Sequence, residues 1–150
     1  MIVGGFDMGL LRLTHERPEI APGASVREAV RVMADAQIGA IAVKQGAAIV
    51  GVFTERDLMK RVVAEGRDPD TTPIRDVMTT NIVTAYDSTP VATAAAAMRA
   101  HRMRHLVVVD RAGNYLGMLA QRHLLYDWMN DLEAKVGDLT GYLMTDGPGG

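Results

Sequence analysis

The chain repeats itself, and an internal repeat constrains a fold more than any single motif does. Residues 26–45 align with residues 91–110 at an offset of 65. A longer turn after position 110 moves the offset to 66, so that Leu58 falls on Leu124. Identity between the copies is modest, but apolar residues, turns and glycines follow in the same order. The duplication predicts two similar small units that pack together.

Local signals predict the order helix, strand, turn, strand, helix in each copy. Ser25 with Glu28 matches a capping box, and Thr89 before Pro90 matches an N-cap followed by proline at the first helical position. Short apolar runs bounded by turn residues predict paired strands. We expect strands at 40–44, 49–53, 106–109 and 115–119, a leading strand at 81–85, and closing helices at 55–64 and from 121 to about 132.

These elements predict an α+β (mixed α/β) fold of two pseudo-symmetric repeats, each a small sheet with two packing helices, in one compact module. We expect the repeats at 13–66 and 74–132, with a polar linker at 67–73. Residues 133–150 are expected to form a C-terminal extension and flexible tail. Apolar residues make up 48% of the chain, which is enough to supply both cores.

Composition narrows the classes of function. The net charge of −2 argues against a nucleic-acid partner, because proteins that bind phosphate backbones usually carry a basic excess. The chain has no cysteine, which excludes thiolate chemistry. No apolar run approaches the ~20 residues of a membrane span, and the first residues lack a signal-peptide pattern. We therefore expect a cytoplasmic protein with no membrane partner.

The motifs do not predict an enzyme. No segment brings together a nucleophile, a base and an oxyanion donor, so we expect no catalytic residue and no catalytic cofactor. His101 and His105 have the i, i+4 spacing of some zinc sites, but no glutamate stands beside His101. A metal-dependent hydrolase that uses these histidines is the weaker alternative.

The closing helices carry more apolar surface than one sheet covers. Leu58, Met59, Val62 and Val63 span an arc of about 140°, and Leu124, Leu125, Trp128 and Met129 repeat the pattern. Two interpretations remain open. Either these helices are buried between the two copies, or they form a second interface with another chain. We favour the second interpretation, which predicts a homodimer.

Three segments resemble the signatures of the cystathionine-β-synthase (CBS) domain family. GVFTERDL at 51–58 is similar to its Gly-h-h-Ser/Thr-x-x-Asp motif, in which h is an apolar residue. RDVMTT at 75–80 resembles the segment that opens a repeat, and RHLVVVD at 104–110 resembles a strand of the same family. Their order, spacing and duplication make the resemblance specific, and it covers roughly residues 13 to 130.

The resemblance implies a CBS pair, or Bateman module, whose two sheets pack face to face and enclose two clefts. It implies a regulatory protein that senses an adenosine-containing nucleotide of the AMP, ADP or ATP class, with S-adenosylmethionine or NAD as other ligands. It also implies frequent dimerisation and a downstream protein that the sequence does not identify. The alternative is a ligand-free scaffold that acts through its dimerisation helices.

The candidate ligand site lies where the first copy's last strand meets its closing helix. The first N–H groups of a helix attract phosphate, and Thr54 and Arg56 add a hydroxyl and a charge. Asp57 can accept hydrogen bonds from both ribose hydroxyls. By family analogy, the base contacts a further set of residues: Ile38, Gly39, Ala40, Asn81, Ile82 and Val83, with Met78 and Met103 as walls.

The same four residues, Thr54 to Asp57, also match a capping box. Taken alone, that structural interpretation is the stronger one. Gly51, the preceding strand pair and the duplicated frame favour the ligand site instead.

The second copy departs from this pattern. Ala120 stands in place of Thr54 and His123 in place of Asp57, so the hydroxyl and the ribose acceptor are both lost. Basic residues surround the region: Arg102, Arg104, His105 and Arg122. We favour an empty second cleft. Two alternatives to an empty cleft remain. The second cleft could hold an anion through four basic residues: Arg104, His105, Arg122 and His123. Basic side chains of this region could instead reach the phosphates of a nucleotide in the first cleft.

Overall fold

A computed structural model of the chain describes residues 9–14 and 17–145. Repeat one contains β1 (Glu19–Ile20), α1 (Val26–Ala36), β2 (Ala40–Gln45), β3 (Ala48–Thr54) and α2 (Glu55–Asp57), which continues as a π-helical segment (Leu58–Val63). Repeat two contains β4 (Thr84–Tyr86), α3 (Val91–Ala100), β5 (His105–Val109), β6 (Tyr115–Ala120) and α4 (Gln121–Thr145). Short 3₁₀ turns, Gly9–Leu13 and Ile74–Asp76, precede the two repeats.

The two repeats form sheets of identical topology, which confirms the predicted fold class. In each three-stranded sheet the short leading strand runs parallel to the middle strand, and the middle and last strands form an antiparallel hairpin. The hairpins even share an irregularity, because the pairing register shifts after Val43 and again after Val108. These positions are 65 residues apart, so the duplication extends to the backbone geometry.

The middle strands are apolar wherever both of their faces are buried, at 40–43 in β2 and 106–109 in β5. Side chains alternate between faces along a strand. Ile41 and Val43 pack in the core of repeat one, while Ala40 and Ala42 belong to a third cluster shared with Val107 and other residues of repeat two. This shared cluster holds the two sheets together.

Polar contacts also join the repeats. The buried Tyr115 hydroxyl donates to the carbonyl of Pro18 at 3.0 Å, and burial raises the pKa of this phenol. Arg122 donates to the carbonyl of Gln37 at 2.8 Å. Each bond links one repeat to the other, and together they fix how the two sheets lie against each other.

The helix starts follow the sequence signals in one repeat and depart from them in the other. Ser25 and Glu28 form the predicted capping box at α1. The predicted cap at Thr89 is wrong, because Pro90 occupies the N-cap of α3 and the Thr89 hydroxyl accepts the N–H of Tyr86 instead. The threonine closes the turn that leads into the helix.

The closing helices bury one apolar stripe and expose another. Val62 and Leu124 are buried, whereas Met59 and Val63 are 58% and 68% exposed. The interpretation that buries these helices between the copies is therefore wrong. In the described residues the excess apolar arc is open, and the predicted second interface stays a prediction.

Helix α4 continues well past its predicted end near residue 132 and reaches Thr145. No Pro interrupts this stretch, and its apolar residues keep a helical spacing. The glycine-rich end of the predicted tail, 146–150, lies outside the described residues. Among the helices of the described part, none is long and apolar enough to cross a membrane.

Candidate functional site

A cavity of about 200 Å³ lies between the two repeats. Repeat one contributes the end of β3 and the start of α2, and repeat two contributes the segment before β5. The segment before β4, with Thr79 and residues 81–83, closes a third side. Eight of the predicted residues line the cavity: Gly39, Thr54, Arg56, Asp57, Asn81, Ile82, Val83 and Met103.

The start of α2 is a complete capping box. The Thr54 N–H donates to Asp57 Oδ2 at 3.0 Å, and the Asp57 N–H donates to Thr54 Oγ1 at 3.2 Å. The Thr54 hydroxyl also lies 3.1 Å from Asp57 Oδ2. The capping interpretation is therefore confirmed. It leaves the Thr54 hydroxyl bonded within the protein rather than free to donate to a phosphate.

The Asp57 carboxylate is only 6% exposed and has further partners. The Thr79 hydroxyl lies 3.1 Å from Oδ1 and 3.2 Å from Oδ2. Arg61 Nε lies 3.6 Å from Oδ1, and another nitrogen of the same guanidinium donates to the Met78 carbonyl. An ionised carboxylate has about four acceptor positions. These partners occupy nearly all of the positions, so a ligand hydroxyl would bind Asp57 by replacing the Thr54 or the Thr79 hydroxyl.

The first amide of α2 is already satisfied, because the Glu55 N–H donates to the Gly39 carbonyl at 3.0 Å. The open helix end expected from the sequence is therefore partly closed by the backbone of repeat one. A Cβ on Gly39 would displace the flexible Glu55 carboxylate and crowd His105, so the close approach of these side chains depends on the glycine. Phosphate attraction in this cavity must then come mainly from side chains.

Cationic side chains supply that attraction. Arg56, Arg102 and Arg104 line the cavity. His105 lies beside them, and desolvation lowers its pKa to about 4, with a further contribution from the charges of Arg122 and Arg104. At neutral pH the histidine is uncharged, so the arginines carry the positive charge of the site.

Three predicted residues do not line this cavity. Ile38 and Ala40 lie in the cluster between the sheets. Met78 packs against the core of repeat one, where a Cβ on Gly51 would collide with its side chain. The cavity instead takes the corresponding segment of repeat two, which begins at Met103. Gly39 of repeat one and Met103 of repeat two, both predicted, line the cavity together.

The second candidate cleft is a groove of about 530 Å³. Arg104, His105 and Arg122 line it, as predicted for that region, but His123 does not. The imidazole Nδ1 of His123 instead accepts the Ala120 N–H at 3.4 Å. Arg104 and His105 line both cavities, so the basic cluster assigned to the second cleft also reaches the first.

Sequence reasoning missed five residues that line the first cavity: Val52, Glu55, Thr79, His101 and Val107. Thr79 was noted only as part of the segment that opens repeat two, and the bridge that it forms with Val52 places its hydroxyl beside Asp57. His101 was weighed only as a metal ligand, whereas Arg102 was one of the basic residues expected near the second cleft, with reach to the first cleft as an alternative. Arg102 has a φ of 52° at the end of α3, as Gln37 has a φ of 53° at the end of α1. The repeat alignment pairs these two positions and was the signal available.

These features define a tandem repeat module with a cavity built from both repeats. The family model of the CBS domain matches the chain twice, at residues 13–64 and 74–129. The chain belongs to the CBS domain family, and its two domains form a CBS pair.

Individual relatives agree with this assignment. The chain is 30% identical to the CBS domain-containing protein YhcV of Bacillus subtilis, over 81% of this chain and 86% of that protein. It is 34% identical to the meiotically up-regulated gene 70 protein of Schizosaccharomyces pombe, over 78% of this chain but only 16% of that much longer protein. A CBS domain protein from Pyrobaculum aerophilum, solved in complex with AMP, is 30% identical over 77% of this chain and 88% of its own, with a TM-score of 0.70.

Proposed function

We propose that this CBS pair is a regulatory module that binds an adenosine-containing nucleotide in the cavity between its repeats. The observation that carries the proposal is the meeting, in one cavity, of a buried carboxylate, Asp57, with Arg102 and Arg104. A carboxylate suits ribose hydroxyls and arginines suit phosphates. The AMP complex of the Pyrobaculum aerophilum relative supports the same class of ligand.

Each part of the ligand has a matching surface. Asp57 accepts the ribose hydroxyls, and the Thr79 hydroxyl that now faces it can turn towards the ligand. Ile82 and Val83 offer apolar surface to the base. The phosphates extend towards Arg102 and Arg104. These roles are part of the proposal.

The proposed role is regulatory rather than catalytic. Because the site is built from both repeats, a bound nucleotide adds contacts that depend on how the repeats lie against each other. A ligand shifts a conformational equilibrium only by its difference in affinity for the two states. Binding would thus favour one arrangement of the repeats, which a downstream protein would recognise.

Calorimetric titration of the full chain with AMP, ADP, ATP, S-adenosylmethionine and NAD tests the proposal. We expect at least one adenosine nucleotide to bind with about one site per chain and to raise Tm, because a ligand that binds only the folded state stabilises it. The variant His123→Ala should bind equally well. Absence of both heat and a Tm shift with every ligand would refute the proposal.

A second candidate function is a ligand-free scaffold that acts as a homodimer. It is favoured by the exposed apolar side chains of the closing helices, Met59 on one and Trp128 on the other. Sedimentation equilibrium should then give a two-chain mass that Met59→Glu and Trp128→Glu reduce. A dimer that binds no nucleotide would favour this function, and a monomer would exclude it.

A further inference from the structure

The second half of α4 lies exposed in the part of the chain that the structure describes. Every residue from 130 to 141 is exposed. The helix nevertheless carries a regular apolar stripe, in which the exposed fractions lie between 47% and 60%: Leu125, Met129, Leu132, Val136 and Leu139. The successive spacings are four, three, four and three residues, and Leu143 continues the series in the sequence. This is the a/d spacing of a coiled coil.

An isolated helix of this composition is not stable by itself. Helical segments shorter than about 12–15 residues are marginal in water, and most helix stability in proteins comes from packing of an apolar face. Gly137 and Gly141 weaken the segment further, since glycine is less favourable than alanine inside a helix. Both glycines lie off the stripe, and the apolar residues lie on it. Burial of the stripe is therefore what can hold this helix together.

We propose that α4 pairs with α4 of a second copy of this chain as a parallel, two-stranded coiled coil that begins near Leu125. Leu125, Leu132 and Leu139 occupy the d positions, and Met129 and Val136 occupy a positions. Leucine at all three d positions, with the β-branched Val136 at one a position, favours two parallel strands. A seam of identical residues is also self-complementary, which fits an isologous dimer.

The residues beside the seam are compatible with the parallel orientation. Position g of one helix then faces position e of the next heptad on its partner. These pairs are Trp128 with Glu133 and Lys135 with Thr140, so no two like charges meet across the seam. The seam is continuous with the exposed apolar arc at the start of α4. The two CBS modules therefore sit side by side at the same end of the coil.

A charge placed in the seam tests the pairing. Leu139→Glu changes a side chain that is already exposed, so the module itself should keep its Tm. We expect the Kd of the dimer to rise at least about tenfold, because two buried leucines are lost per dimer. The matched control is Ala134→Glu, which adds the same charge at an outward f position and should leave Kd unchanged. A monomeric wild type, or equal Kd values for both variants, would overturn the proposal.

The parallel orientation has its own test, since the chain contains no cysteine and a single one can be introduced. Leu139→Cys should be linked into a covalent dimer by a short bis-maleimide, because the two d positions face each other. Ala134→Cys should be linked much more slowly. In an antiparallel coil, or in a dimer formed only by the repeats, residue 139 lies far from its copy. Linkage of Leu139→Cys no faster than that of Ala134→Cys would therefore refute the parallel coil.

Discussion

The starts of α2 and α4 share one backbone frame but differ in chemistry. The Glu55 N–H donates to the Gly39 carbonyl at 3.0 Å, and at the matching position the Gln121 N–H donates to the Arg104 carbonyl at 2.8 Å. At the first start the Asp57 carboxylate accepts the Thr54 N–H at 3.0 Å. At the second start the His123 imidazole accepts the Ala120 N–H at 3.4 Å.

This difference separates what the fold needs from what a ligand needs. Either side chain can accept one backbone N–H and start the helix. The carboxylate accepts bonds from the Thr54 and Thr79 hydroxyls that ligand hydroxyls can replace, whereas an imidazole nitrogen that already accepts a backbone N–H has no further acceptor position. Both repeats therefore keep the backbone frame, while only repeat one has a carboxylate at this position.

Removal of the Asp57 carboxylate should produce the largest effect. We expect Asp57→Ala to weaken nucleotide binding by about 100-fold or more, because each charge-assisted hydrogen bond contributes about 1.5–3 kcal/mol. Its Tm should also fall, since the same carboxylate caps α2. Calorimetry should be run at a temperature where circular dichroism shows the variant folded.

Two controls sharpen this comparison. Asp57→Asn retains the shape and part of the cap, and should lose less affinity than Asp57→Ala. His123→Ala removes the equivalent cap of repeat two and should leave nucleotide affinity unchanged. If Asp57→Ala lowers Tm but binds AMP as tightly as the wild type, Asp57 is a cap and nothing more.

Acid should destabilise the region where the two cavities meet. The pKa of His105 is lowered to about 4 in the folded protein, so the unfolded chain binds the proton more tightly. The stabilising effect of the neutral imidazole is fully present above the unfolded pKa near 6.5, and it is lost as pH falls towards 4. We expect a loss on the order of 2 kcal/mol, measured by denaturant unfolding between pH 7 and pH 4. His105→Gln should abolish this part of the pH dependence, and the exposed His101→Gln should retain it.

Conversion of the first helix start towards the second should have a smaller effect. Thr54→Ala recreates in repeat one the alanine that repeat two carries at position 120. Loss of an N-cap hydroxyl typically costs about 1 kcal/mol, so the free energy of unfolding should fall by that amount. An unchanged midpoint would mean that the bonds between Thr54 and Asp57 do not stabilise α2.

The reverse change should have the smallest effect. His123→Asp places a carboxylate at the start of α4, near Arg104 and Arg122. A negative charge at a helix N-terminus contributes about 0.3–1 kcal/mol, so the free energy of unfolding should rise by that amount. A fall in stability would show that the frame of repeat two cannot accept the side chain of repeat one.

The repeat made most of the fold predictable. Apolar runs and turn residues predicted the hairpins at β2–β3 and β5–β6. Local capping chemistry predicted the capping box of Ser25 and Glu28. The misplaced cap at Thr89 and the underestimated length of α4 have a common cause. In both cases local residues allow two structures, and contacts beyond the local sequence decide between them.

The site was predictable in part. Thr54 and Asp57 could be predicted because both belong to the single motif at residues 51–58. Ile38 and Ala40 were assigned to the first cleft by family analogy, but both lie in the cluster between the sheets, and only Gly39 between them lines the cavity. Which copy completes a cleft depends on how the two sheets pack, and a repeat alignment contains no such information. Thr79 was overlooked for the same reason.

The most direct test of the central claim leaves the protein unchanged and alters the ligand. Wild-type protein should be titrated with AMP and with 2′-deoxy-AMP by calorimetry. If the first cleft alone recognises ribose through Asp57, AMP should bind at about one site per chain. The 2′-deoxy nucleotide should then bind about tenfold more weakly, because it lacks one hydrogen bond to a charged group. Equal affinities for the two nucleotides, or two equally tight AMP sites per chain, would contradict the account.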